Sequence, residues 1–381
     1  MTATRRQWLA QASVLGAAAL CLHGGPAAWA APAGRKLVVG QSVPLTGAAS
    51  EIGLAFAAGA KLYVDAFNDR SDIPLGLELR QLDDGYDPAR ADANARKLLG
   101  DGADLLFGFV GTDSATAAAA VARKQGAVLL APFAAADNLR DGSQPQVFHV
   151  RPSMADEAFK MVQHCATIGQ TRIAVMGEDS GMGRAGLAAI ERALKELKMA
   201  PPVASAFVPA NGASVDAAVA ALGAAKPQVV IQVALFDTTA AFIRQMRKAG
   251  YGGAFMNFSV VGINPLYVAL GKDIRGVVVS QVVPSPRSAA TPIVREYLDA
   301  IDNSDQSPSY ESLEGFIAAK VLGESVRRAG PVLNRAGMAH ALSTLGEAEV
   351  GGFRVNLRAG VRDSAWTIDL VTLTADGRVV R

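Results

Sequence analysis

The sequence predicts an α/β fold of two doubly wound, parallel-sheet lobes with a ligand cleft between them. Three observations predict it. Short β-rich runs alternate with longer alanine-rich helical runs along most of the chain, the order that builds parallel sheets. Most of the short runs are continuously apolar rather than alternating, as expected of strands covered by helices on both faces. The strand–helix pairs also fall into two sets, before and after about Arg151-Pro152, and 381 residues exceed what one ordinary core holds.

In chain order, the first feature is an export signal at residues 1–30. Arg5 and Arg6 are the only charges before Arg35, residues 9–22 are apolar, and Gly24-Gly25-Pro26 precedes the small-residue cleavage pattern Ala28-Trp29-Ala30. The apolar run is shorter than the roughly 20 residues of a membrane span. Thr4-Arg5-Arg6-Gln7-Trp8-Leu9 is similar to a twin-arginine signal. Lipid attachment at Cys21 is not expected, because Leu20 is bulky where a small residue is needed.

Residues 37–40 then read as a strand, and 53–68 as a helix with Leu54, Ala58, Leu62 and Ala66 along one apolar face. Residues 77–82 form the next strand, and Asp87-Pro88 opens a helix as N-cap and first helical residue. Further strands are predicted at 104–107, 128–130, 172–176, 203–208, 229–233 and 277–279. Helices are predicted at 114–124, 156–168, 184–197, 215–224, 238–249 and 310–328. In an open α/β sheet, ligands bind beyond the carboxyl ends of the strands, so a cleft between two such sheets is the expected site.

Charge excludes two classes of partner. The leader holds two of the 37 basic residues, which leaves 35 basic against 35 acidic groups. A balanced chain offers no field for nucleic acid or anionic lipid, and no second long apolar run calls for membrane insertion. Cys165 is the one cysteine beyond the leader, so no intramolecular disulfide is expected there. Its helical context marks it as a buried structural thiol.

Catalytic and cofactor motifs are weak. Gly181-Met182-Gly183-Arg184-Ala185-Gly186 fits G-x-G-x-x-G, but four residues separate it from its strand and no acidic residue ends the next one. These glycines read as a helix start, and no cofactor is expected. His149, His164 and His340 have no metal-ligand spacing. Asp83-Asp84, ahead of Gly85, reads as a turn rather than an acid pair. Residues 108–114, Gly-Phe-Val-Gly-Thr-Asp-Ser, are more informative. Small residues and hydroxyls at a helix start suit an anion, or Asp113 or Ser114 acts as a plain N-cap; the sequence leaves both open.

Taken together, these segments resemble the periplasmic binding proteins of the branched-chain amino acid type, the receptors of ABC importers. Residues 39–47, with Gly53 and Gly59-Ala60, look like that family's opening strand, ligand loop and helix. Residues 82–88, 108–114, 131–135, 147–152 and 243–251 resemble its later segments in order. The resemblance implies two lobes joined by a three-crossover hinge, lobe I at 35–153 plus 284–350 and lobe II at 154–283 plus 351–381. It implies a small-molecule ligand and no enzyme activity. The partner would be an inner-membrane ABC permease, with a membrane sensor partner as the alternative.

The resemblance also implies site residues. Thr112 aligns with a hydroxyl that binds the ligand carboxylate, with Ser114 beside it. Phe133 and Ala135 fall on the second ligand loop, and Asp156 at an acidic cleft position. Ile52, Met182 and Phe236 fall where aromatic residues often line the cleft, and Phe109 is a further cleft candidate. Ser259 stands where amino acid receptors carry an acid for the ligand's ammonium, and Ala135 where they carry a hydroxyl. These two departures imply an organic carboxylate with an apolar or aromatic body, sandwiched between Phe133 and Phe236, rather than a standard branched-chain amino acid; an amino acid receptor with a non-standard clamp, Asp156 or Asp237 supplying the countercharge, is the alternative.

Overall fold

The computed structural model of the protein describes residues 36–70, 75–140, 142–210, 214–330, 333–357, 368–376 and 378–380. The expected leader lies outside them. Among the described residues, β1 (Lys36–Val43), β2 (Gly76–Asp83), β3 (Leu105–Phe107), β4 (Leu129–Leu130) and β5 (Val147–Phe148) form an all-parallel sheet in the order β2-β1-β3-β4-β5. Val39 of central β1 stands opposite Leu79 on one side and Leu105 on the other.

A second sheet takes β6 (Ile173–Glu178), β7 (Ala204–Val208), β8 (Val229–Val233), β9 (Ala254–Asn257) and β10 (Val277–Gln281), all parallel. β11 (Glu347–Val350) and β12 (Phe353–Asn356) make a separate hairpin. β13 (Asp369–Leu373) and β14 (Val379–Val380) return to the second sheet as antiparallel strands beside β10. The chain passes from the first sheet to the second after β5, leaves the second sheet after β10, and rejoins it at β13 after the separate hairpin. The expected third boundary, 350/351, falls in the hairpin turn, so the hairpin straddles it.

Helices α1 (Ser50–Asn68), α2 (Pro88–Gly100) and α3 (Thr112–Lys124) alternate with the first strands. α4 (Met154–Thr167), α5 (Gly181–Glu196), α6 (Asp216–Ala224), α7 (Phe236–Lys248) and α8 (Ile263–Leu270) accompany the second sheet. α9 (Pro292–Asp302), α10 (Tyr310–Ala329) and α11 (Arg335–Leu345) lie between β10 and β11. One face of the first sheet packs Leu105 and Phe107 with α1, whose Phe56 ring lies 6.1 Å from that of Phe107. The other face packs Leu106 and Leu129 against Leu98 of α2 and Ala118 and Ala122 of α3. Both faces are covered, which is why β3, β4 and β5 are apolar throughout, whereas edge strand β2 carries Glu78, Arg80 and Gln81.

α1 corrects one expectation. Its buried stripe is Ile52, Phe56, Ala60, Tyr63 and Phe67, while Leu54 is 49% exposed. The stripe is set by α10, which crosses α1 at backbone contact. A Cβ on Gly59 would stand 1.7 Å from the Ser312 carbonyl oxygen, and one on Gly315 would stand 2.1 Å from that of Phe56. Asp87 and Pro88 cap α2 as expected, the Asp87 carboxylate accepting from Ala89 N at 2.8 Å. Cys165 is buried against the Met256 sulfur at 3.5 Å, and burial pushes its thiol up to about 11.

Candidate functional site

A narrow cavity of about 10 Å³ lies between the carboxyl ends of the two sheets. That is room for about one water, so a ligand enters only when the two sides part. From the first sheet come Ala49 and Ile52 after β1, Tyr86 after β2, Val110, Gly111 and Thr112 after β3, and Phe133, Ala134 and Ala135 after β4. From the second come Met182 after β6, Leu235 after β8 and Val260 after β9, with Met154 at the crossover. The topology thus delivers the wall, since every strand-end loop named here points toward the same gap.

The β3 and β4 loops are stitched together. Gly111 N donates to Phe133 O at 3.1 Å, and Phe133 N donates to Phe109 O at 2.8 Å. Met154 N donates to Ala135 O at 2.7 Å and ties the crossover to the same loop. α3 starts from Gly111, which caps it with no side chain. Gly111 has φ +96°, and a Cβ there would stand 2.6 Å from Cε2 of Tyr86, so glycine is required twice over. The first turn of α3 therefore presents backbone N–H groups and the Thr112 hydroxyl without a side-chain cap, and this end of a helix favours negative charge.

Five sequence-predicted residues, Ile52, Thr112, Phe133, Ala135 and Met182, meet on this wall. The other five lie elsewhere. Phe109 is wholly buried in the core between the first sheet and α2–α3, and its neighbour Val110 takes the wall. Ser114 is buried in the first turn of α3, about 200° round the helix from Thr112. Asp156 is consumed by a capping box with Ser153, accepting from its N–H at 2.8 Å and its hydroxyl at 2.7 Å. Phe236 faces a neighbouring cavity of about 510 Å³ with Glu51, Asp237, Ser309 and Glu311, and Leu235 takes its place. Phe133 and Phe236 thus line different cavities. Ser259 is buried against Arg151 and Glu157, with Val260 on the wall instead.

Two features escaped the sequence reading. Tyr86 lines the cavity from a turn with φ +66°. The turn is held by Asp83, which accepts from Leu45 N, Thr46 N and Gly85 N, and by Asp84, which accepts from Ser42 Oγ and Tyr86 N. The aspartate pair is structural, as its spacing implied.

The second missed feature is a buried charge cluster behind Phe133. The Arg151 guanidinium lies 4.3 Å over the Phe133 ring and donates to Ser259 Oγ at 2.5 Å. Glu157 accepts from Ser259 N at 2.8 Å and from Ser280 Oγ at 2.5 Å. Glu314 lies 3.5 Å from Arg151 Nε. Burial pushes the Glu314 carboxyl up to about 7, with Glu157 and Glu311 adding to the rise and Arg151 opposing it. Next to this cluster, burial and the Arg140 charge hold His149 well below its ordinary value. At the end of β6, outside the lining, buried Glu178 accepts from Leu235 N at 3.1 Å, and burial raises its pKa.

Contacts also bridge the two sheets' ends. Asp113 Oδ2 accepts from Gly181 N, the first residue of α5, at 3.1 Å, and Asp137 pairs with Arg192. The glycines at 181–186 serve close packing. A Cβ on Gly183 would stand 1.9 Å from Glu178 O, and one on Gly186 would stand 2.4 Å from Val233.

Sequence and structure comparisons give a consistent result. The sequence model of a periplasmic binding protein matches residues 36–365. The chain is 25% identical to Leu/Ile/Val-binding protein homolog 7 of Brucella suis, over 93% of this chain and 95% of that one. Among solved structures, a possible leucine/isoleucine/valine-binding protein from Rhodopirellula baltica superposes with a TM-score of 0.85 at 27% identity, covering 92% of this chain and 97% of its own. A substrate-binding periplasmic protein from Ralstonia solanacearum gives 0.81 at 31% identity, covering 91% and 99%.

Proposed function

The chain belongs to the periplasmic binding protein family, and on that premise we propose that it is an exported receptor of an ABC importer. Its ligand is a small carboxylate with an apolar body, held between the two sheets by hinge closure. The relatives' names point to branched-chain amino acids, and the wall of the cavity argues for a different head group.

One observation carries this reading: the cavity has an uncapped helix start on its wall and no carboxylate among its lining side chains. The α3 N-terminus with Thr112 suits an anionic head. An ammonium in this cavity would find no carboxylate on its lining, since Glu51, Asp237 and Glu311 line the neighbouring cavity. Glu157 is engaged by Ser259 and Ser280, and Glu178 by Leu235 N. A buried, unpaired ammonium costs several kcal/mol. The body of the ligand meets Ile52, Val110, Phe133, Met182 and Leu235, which suit a branched aliphatic chain or a single ring.

Native mass spectrometry of the protein purified from its own host tests the reading. The expected result is a retained mass of a carboxylic acid without an amino group. Retained leucine, isoleucine or valine contradicts it.

A further inference from the structure

We propose that Tyr86 is a specificity-determining residue whose phenol donates a second hydrogen bond to the ligand's head group beside Thr112. The assignment rests on the carboxylate reading above and deepens it. Among the lining side chains of the cavity, Tyr86 and Thr112 alone carry a hydrogen-bond donor of ordinary strength. The described residues give the phenol no hydrogen-bond partner; the residue's one protein bond is its backbone N–H to Asp84 at 2.9 Å.

Geometry places the phenol at the helix start. A Cβ on Gly111 would stand 2.6 Å from Cε2 and 3.2 Å from Cζ, so the hydroxyl-bearing edge of the ring lies against the residue that precedes Thr112. The turn holds it there. Asp83 and Asp84 satisfy the N–H groups of Gly85 and Tyr86 and anchor the turn to Ser42, Leu45 and Thr46. Tyr86 keeps left-handed backbone, which a bulky side chain rarely adopts. Burial, with Glu178 and Asp113 nearby, raises the phenol's pKa further, so it remains a neutral donor. A wall that lacks a hydroxyl at Ala135 thereby regains one from a different strand end.

Titration calorimetry with isovalerate, benzoate and phenylacetate, and with their primary amides, tests the assignment on wild type, Tyr86→Phe and Thr112→Ala. Tyr86→Phe keeps the ring on Gly111, so its melting temperature is expected to match wild type. Loss of one hydrogen bond to a charged group predicts roughly tenfold or more weaker binding of the acids. The amides lose less, so the preference for acid over amide shrinks. If Tyr86→Phe retains the wild-type preference while Thr112→Ala loses it, the Tyr86 role is overturned and the carboxylate reading stands. If wild type binds none of the acids, the carboxylate reading falls and the Tyr86 role falls with it.

Discussion

Arg151 sits at the centre of a buried charge balance, stacked on Phe133 and facing Glu157, Glu314, Glu311 and Arg140. The Glu314 carboxyl is raised by burial to about 7 from an ordinary value of 4.5. The folded protein therefore holds a proton there that the unfolded chain releases, and this contribution to stability fades as pH rises from about 4.5 to about 7. Glu314→Gln is expected to gain on wild type at pH 8 relative to pH 5, by at most on the order of 3 kcal/mol in urea unfolding. An equal difference at both pH values would contradict the assignment. At this same scale the sequence was only partly legible. Phe109, Phe236 and Ser259 were each one position from the residue that lines the cavity, namely Val110, Leu235 and Val260. These positions sit where strands end, and neighbouring side chains there point to opposite sides. A resemblance read to within one residue can therefore select the wrong face. Tyr86 was hidden for another reason: a left-handed tyrosine has no sequence signature beside two turn-forming aspartates.

Two glycines with tight surroundings separate what an element needs to fold from what it needs to close. Gly59 of α1 meets the backbone of α10, and a backbone atom cannot move aside. Gly59→Ala is expected to cost about 3 kcal/mol or more, since overpacking a tight helix crossing forces the helices apart. Gly181 of α5 meets the free end of Asp113, 2.0 Å from the position of its Cβ. Gly181→Ala should leave the melting temperature within a few degrees of wild type. It should displace the Asp113 carboxylate and open the cleft, raising the radius of gyration in small-angle scattering. A large loss of stability from Gly181→Ala, or unchanged scattering, would contradict this division. Elements were legible where they were long or continuously apolar, as with β1, β8 and α10. β5, with two residues, and β9, which ends in Asn257, gave too short a pattern. The face of α1 was misread because its buried stripe is set by glycines that admit α10, a tertiary cause that periodicity does not show.

For the whole molecule, two sheets place the carboxyl ends of their strands around one gap, and contacts such as Asp113 to Gly181 join the two sides. That arrangement was legible from the order of strands and helices and from their division near Arg151-Pro152. The chemistry of the gap was less so, because it depends on which carboxylates are already engaged. Glu157 and Glu178 are both buried near the cavity, and both are held by protein donors. The central claim is that this leaves an apolar pocket whose one charged preference is for an anion at the α3 N-terminus. The most direct test is calorimetric titration of wild type and Thr112→Ala with leucine, valine, isovalerate and benzoate. The account predicts binding of at least one of the two acids, no measurable binding of the amino acids, and a loss of roughly 1.5–3 kcal/mol for that acid in Thr112→Ala. Tight leucine binding with no response to either acid would contradict it.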